Sequence, residues 1–160
     1  MSKVGNQSVA MSTGTDSGVL VGRCEYNLDP KHRFTIPSGW REVMGDPKYV
    51  YVMPDGKERC LNLIPPAEME SRLAKLRERA LFDPSVTKHL QAIGAATEQL
   101  TLDVQGRIRV CDKLLQFANL TTTVAMVGSV RMIKLWNPAA LKPDVVDQVE
   151  LNSALESVGF

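Results

Sequence analysis

An internal duplication constrains the fold of this chain more than any other feature of its sequence. The segment EYNLDPKHRFTI at residues 25–36 returns as QLTLDVQGRIRV at residues 99–110, an offset of 74 residues. The match continues at an offset of 72 residues over three further positions, with Leu61, Leu63 and Pro66 against Ile133, Leu135 and Pro138. Self-similarity at a fixed spacing marks one supersecondary unit used more than once. The sequence therefore predicts two copies of a single unit.

Alternation of apolar and polar residues predicts the elements of each unit. Leu20, Cys24 and Tyr26 fall on one face of a strand with period two, and Asp29-Pro30 then supplies a turn. The elements predicted in the first copy are a strand over 20–28, a turn at 29–32, a strand at 34–36, a short helix at 38–43, and strands at 49–53 and 59–64. The second copy repeats this order. The predicted fold class is mainly β with helices (α+β), built as two tandem ββαββ units that form a barrel-like core.

The duplication also divides the chain into segments. The apolar positions of residues 66–81 recur at helical spacing, and a second helix is predicted after Asp83-Pro84. A C-terminal helix is expected from about Ala139. The predicted organisation is a flexible Ser-, Gly- and Thr-rich tail over 1–18, a first unit over 19–65, a helical linker over 66–96, a second unit over 97–137, and a C-terminal helix and tail over 138–160.

One charged pattern is kept in register between the copies. Asp29 precedes Arg33 by four residues, as Asp103 precedes Arg107. In one reading, the aspartate caps the hairpin turn and pairs with the arginine, which pins the loop. In the other, the turn presents a guanidinium fork suited to phosphate or to guanine O6 and N7, and the carboxylate holds it in place. The two readings are compatible.

The segments LDPKHRFTIP at 28–37 and LDVQGRIRV at 102–110 resemble the two signatures of the MraZ family of bacterial transcriptional regulators. The resemblance covers about residues 20–140. It implies two AbrB-like swapped-hairpin units and a ring-shaped homo-oligomer. It further implies a regulator of the division and cell-wall gene cluster that binds short direct repeats in its own promoter. Chemistry and the resemblance together make Asp29 and Asp103 the residues that orient the motif arginines.

Two positions depart from the pattern of that family. His32 stands where the second copy has Gly106 before the motif arginine, and Cys111 stands where the first copy has Pro37. If the turn requires a positive φ, a histidine adopts it at an energetic cost that glycine avoids. Both motif pairs are intact, so these departures are expected to alter local geometry and to leave the function unchanged.

The net charge is +1, from 19 Lys and Arg against 18 Asp and Glu, so the chain has no strong global attraction for a polyanion. A DNA-binding surface must therefore be a local patch, and oligomerisation would repeat it so that avidity replaces net charge. The predicted patch consists of Arg23, Lys31, His32 and Arg33 in the first copy, with Arg41 as a further candidate, and of Arg107 and Arg109 in the second.

The cysteines and the hydropathy pattern predict the compartment. The three cysteines are far apart and odd in number, which favours a reducing environment. No apolar run approaches the ~18 residues of a membrane-spanning helix, and no secretory signal is recognisable. The expected location is the cytoplasm, with association to the nucleoid.

The rival function classes have less support from the sequence. An enzyme is not expected, because two histidines stand without a nucleophile pattern, metal-ligand spacing or phosphate loop. No cofactor, membrane or small-molecule substrate is expected either. Trp40 and Trp136 are interpreted as core or subunit-interface anchors, and a stripe of stacking aromatics is missing, which favours double-stranded over single-stranded DNA. The open alternative is a protein-binding, antitoxin-like or assembly module that uses the same fold without reading DNA.

Overall fold

The computed structural model describes residues 18–160, which form a mixed α+β fold with eight strands and five helices. The predicted tail lies outside the described residues except for Gly18. The strands are β1 (Arg23–Asn27), β2 (Arg33–Thr35), β3 (Tyr49–Pro54), β4 (Leu61–Ile64), β5 (Glu98–Thr101), β6 (Arg107–Arg109), β7 (Thr123–Gly128) and β8 (Ile133–Trp136). The helices are α1 (Ser38–Val43), α2 (Pro66–Ala80), α3 (Ser85–Ala96), α4 (Asp112–Phe117) and α5 (Gln148–Val158). The predicted α+β class and the repeated ββαββ order are confirmed.

The two copies exchange strands. Six strands form one antiparallel sheet in the order β1-β7-β8-β4-β3-β5, and β2 pairs with β6 in a separate two-stranded ribbon. The first strand of each copy thus pairs with the third strand of the other copy. Within the described chain, neither copy pairs its own first two strands with each other. Because each copy completes the sheet of the other, the domain boundaries between the two units stay a prediction.

A local two-fold relationship runs through the ribbon and through the centre of the sheet. Phe34 and Ile108 are equivalent positions of the duplication, and they are also directly opposite each other across β2 and β6. Asn62 and Lys134 are likewise equivalent positions of the duplication, and they lie opposite each other across β4 and β8. A residue that faces its own equivalent must lie on the axis that relates the copies. Equivalent elements of the two copies therefore lie on opposite sides of this axis.

The core lies between the ribbon and the six-stranded sheet. Phe34 and Ile108 point inward from the ribbon and are almost fully buried, together with Ile36 and Val110 just beyond it. They belong to one cluster with the inward side chains of the sheet, which include Val50, Leu61, Leu63, Val124, Ile133 and Leu135. Burying a side chain of this size stabilises the fold by about 1.5–3 kcal/mol relative to leaving it exposed. The ribbon is thereby fixed to the core by its inner face and presents its outer face to solvent.

The helices surround this core. Helices α2 and α3 pack on each other through the region predicted as a linker, and α2 also contacts β3. The C-terminal helix begins at Gln148 and not near Ala139, where only a single 3₁₀ turn forms. Pro143 accounts for the difference, because a proline disfavours helical backbone at the residue before it. Asp147 then caps α5 by accepting the Glu150 N–H at 3.1 Å.

Candidate nucleic-acid interface

The turn before β2 is built around the carboxylate of Asp29. Its Oδ1 accepts the backbone N–H groups of Lys31 at 2.9 Å and Arg33 at 2.8 Å. Its Oδ2 accepts the Nε–H of Arg33 at 2.7 Å. One carboxylate therefore closes the turn and fixes the guanidinium at the same time, so both readings of the motif apply to this turn.

The second turn repeats this geometry around Asp103. Its Oδ1 accepts the N–H groups of Gln105 and Arg107, each at 2.9 Å, and its Oδ2 accepts the Nε–H of Arg107 at 2.7 Å. Of the arginine guanidinium, the carboxylate accepts only the Nε–H in both motifs. Among residues 18–160, the terminal nitrogens of Arg33 and Arg107 have no hydrogen-bond partner. Each half-exposed guanidinium is thus held in place with its two terminal donors available.

These hydrogen bonds also set the charge of the carboxylates. The N–H of Arg107 has the largest effect on Asp103, and the Arg107 side chain and the Gln105 N–H act in the same direction against partial desolvation. Together they lower the pKa of Asp103 to about 2. The equivalent bonds, led by the Arg33 N–H, lower the pKa of Asp29. Both carboxylates therefore stay ionised at neutral pH and keep their hold on the arginines.

The ribbon brings the two motifs onto one surface. Across β2 and β6, Arg33 lies opposite Arg109, and Thr35 lies opposite Arg107. Because alternate residues of a strand point to opposite sides and Phe34 and Ile108 are buried, the other four residues share the outer side. We call this surface of Arg33, Thr35, Arg107 and Arg109 the ribbon face. It carries three arginines within two strands of three residues each.

Antiparallel pairing places the two turns at opposite ends of the ribbon. The first turn, 29–32, enters β2 beside Arg109, and the second turn, 103–106, enters β6 beside Thr35. Arg109 therefore lies with the first motif in space, although it follows the second motif in the sequence. Sequence reasoning grouped it with Arg107, because the register between the copies cannot be read from either copy alone.

The two ends differ in chemistry. The first end combines Lys31, His32, Arg33 and Arg109, with Asp112 beside His32. The second end combines Arg107 with the uncharged Thr35, Val104 and Gln105, and Arg41 lies against Gly106 of its turn. Val104 is fully exposed at the tip of the second turn, where the first turn has Pro30. The alignment of the two copies predicts this difference, because Thr35 in the first copy is the equivalent of Arg109 in the second.

His32 and Gly106 occupy the same left-handed backbone position, with φ values of 61° and 78°. A Cβ atom at Gly106 would meet the guanidinium of Arg41 and force it to move, and the positive φ also favours glycine at this position. The equivalent of Arg41 in the second copy is Leu115, and His32 instead places its Nδ1 3.0 Å from Oδ1 of Asp112. The first departure from the family pattern therefore follows from what packs against each turn.

Two of the sequence candidates lie away from the first turn. Arg41 lies beside the second turn and donates its Nε–H to the carbonyl oxygen of Ile36 at 2.9 Å. Arg23 lies at the far end of β1, about 13 Å of strand away from the end that leads into the first turn. Its Nη1 donates to the carbonyl oxygen of Lys142 at 2.9 Å, and Glu25 lies 3.5 Å from Nη2. In this structure, Arg23 holds the C-terminal segment and is not part of the ribbon face.

The described part of the chain contains neither a cluster of metal ligands nor a membrane-spanning helix. No group of three or more His, Cys, Asp or Glu side chains within residues 18–160 is placed to hold a metal ion. Over the same residues, no helix is both long enough and apolar enough to cross a membrane. Burial raises the pKa of the Cys60 thiol to about 11, which keeps it protonated and unreactive at neutral pH.

Comparison with known proteins gives consistent matches. Residues 93–143 match the profile of a family described as "MraZ protein, putative antitoxin-like". The chain is 32% identical over 110 residues to the transcriptional regulator MraZ of Corynebacterium jeikeium, which covers 69% of this chain and 75% of that protein. It is 29% identical over 119 residues to the protein of that name from Saccharopolyspora erythraea, covering 74% of this chain and 81% of the relative. With the Clostridium acetobutylicum protein of the same name, identity is 24% over 140 residues, 88% of this chain and 96% of the relative.

Proposed function

The chain belongs to the MraZ family, and from this premise we propose that it is a transcription regulator that binds double-stranded promoter DNA sequence-specifically through its ribbon face and motif turns. In this proposal the protein acts in the cytoplasm, at the nucleoid, on the division and cell-wall gene cluster. It binds direct repeats as a ring-shaped homo-oligomer. The proposal includes no enzymatic activity, cofactor, membrane or small-molecule substrate.

The observation that carries the proposal is the fixed, half-satisfied guanidinium of each motif. Of each motif guanidinium, Asp29 and Asp103 accept only the Nε–H, both at 2.7 Å. The two terminal nitrogens of an arginine form a planar fork that matches phosphate oxygens or guanine O6 and N7. A fork held in place before binding loses little side-chain entropy on contact. The terminal nitrogens of both arginines are therefore the part of each motif that an anionic ligand can reach.

The shape of the ribbon supports the same proposal. The major groove of B-DNA admits a two-stranded β-ribbon, and a ribbon of three-residue strands is about 10 Å long. The three arginines of the ribbon face point outward while Phe34 and Ile108 anchor it to the core. Lys31 extends this positive surface at the first end, and His32 lies next to it in the same turn. A near-neutral chain thus has a cluster of basic side chains on the outer side of the ribbon.

The test is a binding titration with the duplex that lies upstream of the protein's own coding sequence, in parallel with a scrambled duplex. The expected result is tighter binding to the upstream duplex, and a log affinity that falls linearly as log salt concentration rises, because bound phosphates release counterions. Binding to neither duplex would refute the proposal and favour the assembly module that the sequence left open. Equal binding to both would refute sequence-specific recognition.

A further inference from the structure

Helix α5 has an apolar stripe with no partner in the described chain. Leu151, Ala154, Leu155 and Val158 follow one another at helical spacings of three, one and three residues, which places them on one side of the helix. All four are exposed, Leu151 by 49% and Val158 by 76%, and no residue of α5 is buried. An amphipathic helix of this kind is stabilised by packing its apolar side on another surface.

An apolar groove lies elsewhere on the same molecule. Met69 and Leu73 of α2 and Leu90 and Ile93 of α3 line a cavity of about 480 Å³. Tyr51 of β3, Gln99 of β5 and Arg77 of α2 complete its wall. The groove is therefore mostly apolar, with the Arg77 guanidinium at its border. No residue of α5 lines it.

The helix and the groove belong to opposite edges of the six-stranded sheet. Arg23 of β1, the strand at one edge, binds the carbonyl oxygen of Lys142, and Lys142 pairs with Glu150 in the first turn of α5. The groove includes Gln99 of β5, the strand at the other edge. Six strands span about 24 Å between their outer members. A second copy placed edge to edge is the direct way for the helix to meet the groove.

The charges of the two surfaces are complementary. Residues 144–160 carry four acidic side chains, Asp144, Asp147, Glu150 and Glu156, and no lysine or arginine. Arg77 lines the groove and pairs with Glu70 at 3.3 Å. Lys75, Arg79 and the acid Glu78 lie near it in the C-terminal part of α2. An acidic helix that approaches this border gains attraction in addition to apolar burial.

From this placement we propose that α5 of one copy docks with its apolar stripe in the α2–α3 groove of a neighbouring copy. The contact is heterologous, because the two copies use different surfaces, and repetition around a closed rotation produces a ring. This inference rests on the oligomer included in the proposed function and names its contact surfaces. It does not depend on DNA binding.

The experiment compares three full-length variants with the wild-type chain by multi-angle light scattering. The first is Leu151→Asp/Leu155→Asp in α5, the second is Leu73→Asp/Leu90→Asp in the groove, and the control is Ser153→Asp/Ser157→Asp on the other side of α5. Circular dichroism checks that each remains folded. We expect the wild type and the control to be oligomers of equal mass, and the α5 and groove variants to be monomers at micromolar concentration.

Mixing separates this arrangement from other modes of assembly. The α5 variant keeps an intact groove and the groove variant keeps an intact α5, so an equimolar mixture should form one heterodimer and nothing larger. An α5 variant that keeps the wild-type mass would overturn the inference and leave the oligomer standing. A monomeric mixture of two folded variants would overturn it equally. A monomeric wild type would overturn both the inference and the oligomer, while the DNA titration reports separately on the rest of the proposed function.

Discussion

Arg33 lies directly opposite Arg109 across the ribbon, so that the motif arginine of the first copy has as its neighbour a residue of the second copy. At the other end, the neighbour of Arg107 is Thr35. The two motifs share the geometry of their turns but not their surroundings. Like charges placed directly opposite each other on a sheet repel, so the Arg33–Arg109 pair is a feature that an anionic ligand would stabilise.

The motif arginines are expected to contribute to DNA affinity and not to the fold. Arg33→Ala and Arg107→Ala should each weaken binding to the upstream duplex, by about 1–3 kcal/mol for every bidentate hydrogen-bonded pair with a base that the substitution removes. Fluorescence anisotropy measures the affinity, and thermal unfolding checks the fold. Arg131→Ala, an exposed arginine between β7 and β8, is the matched control and should bind as the wild type does. Undiminished binding by the double variant would leave both arginines with a structural role alone.

The motif aspartates are expected to control specificity more than affinity. Asp29→Asn/Asp103→Asn keeps the shape of both turns and removes two negative charges from the proposed DNA-binding surface. It also weakens the hold on Arg33 and Arg107, which frees their guanidinium groups to adopt other orientations. We expect the affinity ratio between upstream and scrambled duplex to fall while affinity for the scrambled duplex stays level or rises. If the ratio is unchanged, the carboxylates cap turns and do not orient the arginines.

The lowered pKa of Asp103 predicts a pH dependence of stability. Its folded-state pKa is about 2, against an ordinary value of 3.8. Because the folded value is the lower one, the ionised carboxylate stabilises the fold above about pH 4, and this contribution is lost as the pH falls through that interval toward 2. Urea unfolding should therefore show a stability difference between wild type and Asp103→Asn at pH 6 that shrinks as the pH approaches 2. A difference that is constant over this range would contradict the assignment.

The two left-handed positions should respond oppositely to substitution. Gly106→Ala places a Cβ atom at a φ of 78° and displaces Arg41 from Ile36, so it should destabilise the fold by about 1–3 kcal/mol. His32→Gly relieves a non-glycine residue at a φ of 61° and should be neutral or stabilising by up to about 1 kcal/mol. Chemical denaturation measures both. A Gly106→Ala cost that is not reduced in the Arg41→Ala background would show that the contact with Arg41 is unimportant.

Adding an arginine at Thr35 tests whether the ribbon face meets the DNA backbone. Thr35→Arg gives the second end the residue that the first end has at Arg109. One added phosphate contact should raise affinity for a scrambled duplex and steepen the slope of log affinity against log salt by about 1. Ser153→Arg, on the outer side of α5, adds the same single charge away from the ribbon face and should leave the slope unchanged. An unchanged slope for Thr35→Arg would remove the ribbon face from the proposed interface.

The sequence predicted the local features of the site well. Asp29 and Arg33 are close in the chain, and the turn chemistry of aspartate is decided within four residues, so the turn and its ion pair could be predicted. The same holds for the Glu68–Arg72 pair of α2, whose side chains meet at 2.6 Å. Features that a few neighbouring residues determine are accessible to pattern and spacing.

Relationships between distant segments were harder to predict. The pairing of Arg33 with Arg109 depends on the register of two strands about 70 residues apart, and periodicity within one strand carries no information about it. The exchange of strands between the copies came only from the resemblance to a family. The contact of Arg41 with Gly106 likewise joins the helix of one copy to the turn of the other. The late start of α5 could have been predicted, because Pro143 was visible in the sequence.

The local two-fold axis through Phe34 and Ile108 relates the two ends of the ribbon face, so any difference between the ends makes the face directional. If the unit were instead a separate chain that formed a symmetric dimer, the two ends of the ribbon would have identical sequences. Its surface would then be the same in either orientation. Joining the copies in one chain allows Lys31 and His32 to diverge from Gln105 and Gly106, and Thr35 from Arg109. The two ends of the ribbon are therefore chemically different. In the proposed function, a ribbon with two different ends would bind each DNA site in one orientation, and successive sites would then have to be direct repeats.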